Sequence, residues 1–88
     1  MDFVEVNSRV KVIARFDSSS NIGASVMPIK MLYGGREIVF SELGLYHPTV
    51  AGKRMIHVFD MSNNESDYRL EFDAERLVWK LISITSCL

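Results

Sequence analysis

Cysteine is almost missing from this chain. Cys87 stands alone, which excludes an internal disulfide and a cysteine-based zinc site and fits a reducing compartment. There is no apolar run near the ~20 residues that span a bilayer, so no membrane partner is expected. Neither sign of charge dominates. Ten basic and eleven acidic residues leave a formal net charge of −1, so no global field draws the chain to nucleic acid or to an acidic membrane. The opening Met1-Asp2-Phe3-Val4-Glu5-Val6 lacks the basic region and long apolar stretch of a signal peptide, and the expected location is the cytoplasm. Helical periodicity is missing too: no stretch of ten or more residues shows it, which leaves strands as the building material.

What is present is alternation. Tyr68, Leu70 and Phe72 alternate with Arg69, Glu71 and Asp73, the period-two signature of a half-buried strand. With Asp73-Ala74-Glu75-Arg76 as a turn, Phe72 falls opposite Leu77, Leu70 opposite Trp79 and Tyr68 opposite Leu81, giving one apolar face. A two-residue Gly34-Gly35 turn pairs Met31 with Ile38 and Ile29 with Phe40 between strands at 27–33 and 36–40. Pro28 lacks an amide donor and is expected at a strand start or on an edge. Residues 9–16 read as a first strand with Val10, Val12, Ala14 and Phe16 on one face, and a turn-rich loop over 17–23 follows. Residues 54–61 form a further strand, apolar on both faces and therefore central or covered.

These elements make one all-β domain over residues 1–88, with an ordered core of about 9–84. The expected architecture is a single antiparallel meander of five to six strands, curled strongly or closed into a partly open small barrel so that its apolar face is covered. The expected core is Val12, Phe16, Ile29, Met31, Ile38, Phe40, Leu70, Phe72, Trp79 and Leu81.

In their order and spacing, several landmarks resemble those of a family of short, uncharacterised bacterial all-β proteins. They are Lys11-Val12-Ile13-Ala14-Arg15-Phe16-Asp17, Pro28-Ile29-Lys30 leading to Gly35-Arg36-Glu37, Ile56-His57-Val58-Phe59-Asp60, and the terminal hairpin through Glu75-Arg76-Leu77-Val78-Trp79. The resemblance spans roughly residues 10–84. It implies a β fold and a bacterial source, and it carries over no site.

Chemistry is sparse. His47 and His57 have no third ligand at metal-binding spacing, and no nucleophile–base arrangement is present, so neither a metal, a cofactor nor an enzymatic activity is expected. Asp73 and Glu75 read as turn residues with Arg76 as a neutralising neighbour. The segment 41–54 has no clear period: either it hides a short strand near 43–47 or it packs as a compact lobe. It places Tyr46, His47, Lys53 and Arg54 close together, and these are the candidate binding residues of a small binding or protein-interaction module. The alternative is a single-stranded nucleic-acid-binding barrel using a cationic Arg9, Lys11 and Arg15 face.

Overall fold

A computed structural model describes residues 2–17 and 26–86. The loop expected over 17–23 lies, beyond Asp17, outside the described residues, as does Cys87. Eight strands follow one another: β1 (Phe3–Arg9), β2 (Lys11–Phe16), β3 (Val26–Tyr33), β4 (Arg36–Val39), β5 (Glu42–Ala51), β6 (Arg54–Ser62), β7 (Ser66–Asp73) and β8 (Val78–Ser86). Among the described residues there is no helix. All pairings are antiparallel.

The single curled meander or barrel is not what forms. The strands make two sheets, five-stranded in the order β1-β8-β7-β6-β5 and three-stranded in the order β2-β3-β4. Two short crossings separate them. The Val10 amide donates to the Trp79 carbonyl of the large sheet at 3.1 Å, yet the next residue, Lys11, pairs with Leu32 of the small one. Residues 9–16 are thus two strands broken at Val10. The second crossing is as abrupt: the Phe40 amide donates to Ile29, and the adjacent Ser41 amide to Ser62. An apolar sheet face must be buried against something, and here the small sheet covers the large one. Met31, Ile38 and Phe40 meet Phe59, Met61, Tyr68, Leu70, Phe72, Trp79 and Leu81 in one core. Phe40 sits edge-on to Tyr68, with ring centroids 5.6 Å apart.

Turn chemistry sets most registers. Gly34 and Gly35 have φ of 60° and 74°, the two positive values of a type I′ turn, and Met31 lies opposite Ile38 as the sequence implies. An added Cβ at either glycine meets nothing within 4 Å, so a substitution there acts through backbone strain alone. Replacing Gly35 with valine is expected to destabilise the domain by ~1 kcal/mol or more in chemical denaturation, with no change in the denaturant slope.

The terminal hairpin differs in register. Phe72 lies opposite Trp79 and Leu70 opposite Leu81, because the loop is Ala74-Glu75-Arg76-Leu77 rather than residues 73–76. The Asp73 carboxylate accepts hydrogen bonds from the amides of Glu75 (3.1 Å) and Arg76 (3.2 Å), and Leu77 closes the loop at φ 58°. The pairing moves by two residues, so Tyr68, Leu70, Phe72, Trp79 and Leu81 still face inward, while Leu77, expected opposite Phe72, falls in the loop. Leu77 is 73 % exposed and sits in a left-handed conformation that costs a β-carbon roughly 1–2 kcal/mol. Leu77→Gly is therefore expected to raise stability by up to about 1 kcal/mol, read as a higher denaturation midpoint.

A bulge accounts for the burial of Pro28 and the exposure of Ile29, which the alternation misassigns. Pro28 and Met31 are both buried although three residues apart, which strict alternation forbids; a register shift opposite Ile13 and Ala14 permits it. Ile29 is displaced from the expected core by that shift, and Pro28 sits at the bulge of a central strand rather than on an edge. Phe16 is 64 % exposed: its ring meets Phe72 edge-on at 6.3 Å from the rim of the core. Val12 is only partly buried. Strand β6, left ambiguous by its sequence, is interior to the large sheet and contributes Phe59 and Met61 inward.

Candidate functional site

Segment 41–54 is neither a short strand nor a lobe. It is the ten-residue edge strand β5, closed by a turn at Gly52 (φ 65°) and Lys53. Pro48 is tolerated in mid-strand because β5 pairs on one side only. Adjacent strand residues point to opposite faces, so the structure divides the candidate binding residues. Tyr46 faces inward, its hydroxyl 2.6 Å from His57 Nδ1 and its ring tilted on Phe59 at 5.0 Å. His47 faces outward, opposite Val58. Lys53 is exposed in the turn, and Arg54 is held 3.1 Å from the Asp73 carboxylate. Of the four, Arg54 alone lines one of the two outer-face concavities described below. Tyr46→Phe, which leaves the ring and removes the bond to His57, is expected to cost about 0.5–1.5 kcal/mol by denaturant titration without changing the fold.

The cationic grouping is divided as well. Arg9 ends β1 opposite Lys80, on the outer face of the large sheet. Lys11 and Arg15 lie on the outer face of the small sheet, beside Ile13 and Lys30. The crossing at Val10 separates them, so no Arg9, Lys11 and Arg15 face exists.

A different surface emerges from the registers. Across the outer face of the large sheet, Glu5, Ser83, Arg69, Asp60 and Leu45 stand in one row, each opposite the next. A parallel row is Phe3, Thr85, Asp67, Ser62 and Glu42. These ten residues line a trough of about 700 Å³. It crosses all five strands, a width of roughly 19 Å at the ordinary interstrand spacing. Exposed Phe3 and Leu45 stand on its two edge strands.

A bulge creates the floor. Leu81 and Ile84 both turn toward the core although three residues apart, and the shift between Arg69 and Leu70 that allows this brings Ser83 out opposite Arg69. Ser83 is only 8 % exposed, and its hydroxyl has no hydrogen-bond partner within the described residues. Beside it, Arg69 grips Asp60 with two bonds of 2.8 and 3.0 Å. The Asp60 hydrogen bond, and after it the Asp60 charge, raise the Arg69 pKa above its ordinary value, so the guanidinium stays charged at any physiological pH. The pair is substantially exposed and adds at most about 1 kcal/mol to stability. Its effect on the trough is to neutralise Asp60. Among the described residues Glu5, Glu42 and Asp67 make no ion pair, and they stand around a hollow of mixed polar and apolar lining.

Among the described residues no three His, Cys, Asp or Glu side chains are grouped to hold a metal ion. No helix there is long and apolar enough to cross a membrane. Sequence reasoning missed the trough because its residues come from five strands. The signal available was the outward set Asp67, Arg69 and Asp60 on strands already recognised, but neither Ser83 nor β1 was legible. Compared with known proteins, the chain matches no protein-family model, no curated protein and no solved structure.

Proposed function

We propose that this protein is a small interaction module that receives a basic segment of a partner protein in the trough on its large sheet. The observation that carries this reading is the set of three carboxylates, Glu5, Glu42 and Asp67, with no ion pair among the described residues, around the solvent-reachable hydroxyl of the largely buried Ser83. Lysine or arginine side chains match the carboxylates, and an intervening apolar residue matches Phe3 or Leu45. The Ser83 hydroxyl can accept a hydrogen bond from the entering cation or amide. The lone cysteine and the family resemblance accord with a role in a bacterial cytoplasm.

The test is an NMR titration with a short synthetic peptide alternating lysine and leucine. Amide shifts are expected at Phe3, Asp67, Ser83 and Thr85, and Glu42→Lys with Asp67→Lys is expected to weaken binding tenfold or more, since like charges then face the ligand. Shifts that persist unchanged in the double variant would defeat the proposal. A single-stranded oligonucleotide titrated in parallel addresses nucleic-acid binding: shifts confined to Lys11, Arg15 and Lys30 would transfer the function to the small sheet.

A further inference from the structure

The opposite end of the same outer face has the reverse charge. Beyond the Ser83 row, Arg9, Lys80, Glu71, Val58 and His47 form the next row, and Val78, Asp73, Ile56 and Thr49 the one after. A second hollow of about 270 Å³ opens there, with Ile56 and Val78 among its lining and charged side chains around it. Of these, Arg54 and Asp73 neutralise one another at 3.1 Å. Among the described residues Arg9, Arg76 and Lys80 make no ion pair, and Glu71 is the one further carboxylate in the lining.

The placement of the free cations is costly. Arg9 and Lys80 are directly opposite one another on an antiparallel pair, where like charges destabilise a sheet, and Glu71, opposite Lys80 on its other side, offsets one of the two charges. Arg76, in the β7–β8 loop, brings a third positive charge to the same hollow. Three unpaired cations against Glu71 leave an excess of two positive charges.

We infer that this hollow is a phosphate site, in which Arg9, Arg76 and Lys80 bind the dianion of inorganic phosphate or of a phosphate monoester. The guanidinium groups supply forked donors that match two phosphate oxygens, and Lys80 supplies a point charge. A carboxylate, with a single negative charge, leaves the excess only half neutralised. The site is distinct from the acidic trough, and the inference goes beyond the basic-segment reading and stands without it.

The experiment follows thermal melting of the whole chain at constant ionic strength as chloride is replaced by inorganic phosphate, by methyl phosphate or by acetate. Inorganic phosphate is expected to give a saturable rise in Tm of about 4 °C or more at tenfold the Kd. Methyl phosphate is expected to match it if the site takes esters, whereas a response to inorganic phosphate alone assigns the free ion. Arg9→Gln combined with Lys80→Gln is expected to abolish the saturable rise. In chloride, the same double variant is expected to melt within a few degrees of the parent, because it removes both the Arg9–Lys80 repulsion and the cross-strand attraction of Lys80 to Glu71. Two results would overturn the inference: an equal rise in the double variant, which marks general salt stabilisation, or an equal rise with acetate. The absence of any saturable rise would overturn it too.

Discussion

Trp79→Ala is expected to cost ~3–5 kcal/mol, the range for removing a large aromatic side chain from a core. A domain of this length has a total stability of roughly 4–13 kcal/mol, so the variant should be largely or wholly unfolded at growth temperature. Trp79 lies on the inner face of β8, stacked on Phe72 with ring centroids 4.5 Å apart and tilted against Phe59 at 5.6 Å. Its neighbours belong to strands that cannot close over the gap, because β7 and β6 are pinned by their own ladders. Circular dichroism melts and denaturant titration check the result. A midpoint within about 5 °C of the parent would place the indole outside the core.

Phe59→Ala should be comparably severe, again ~3–5 kcal/mol, because the ring is fully buried and touches Tyr46 on one side and Trp79 on the other. The two sites are coupled. A double-mutant cycle built from the milder Phe59→Leu and Trp79→Phe keeps every species folded, and an interaction energy of about 0.5–1.5 kcal/mol is expected. A coupling indistinguishable from zero would mean that the two rings pack independently. Together these tests separate the sheet-to-sheet core from the outer face, whose charge reversals should leave stability nearly unchanged.

The two hairpins differ in how much of them the sequence reveals. The Gly34-Gly35 register follows from local chemistry alone, since two adjacent positive φ values admit one tight turn and that turn admits one pairing. The terminal hairpin has no glycine. Its loop is fixed by the Asp73 carboxylate capping two amides and by a strained Leu77, a combination that composition does not disclose. The inward face of that hairpin was nonetheless legible, because a shift of two residues leaves side-chain parity unchanged. A shift of one residue does not, which is why Ile29, beside the β3 bulge, was misplaced.

By itself, then, the amino-acid sequence determined the material of the fold: antiparallel strands, their approximate positions, and most of the apolar side chains that must be buried. Those properties are local, governed by alternation and by turn residues a few positions apart. Only the tertiary structure decided that the chain breaks at Val10 and between Phe40 and Ser41, and so builds two sheets instead of one. It also decided which outward side chains share a surface. Neither the Glu5–Leu45 row nor the Arg9–Lys80 pair exists along the chain, because each depends on strand order across the sheet and on bulges that only packing against the second sheet makes favourable.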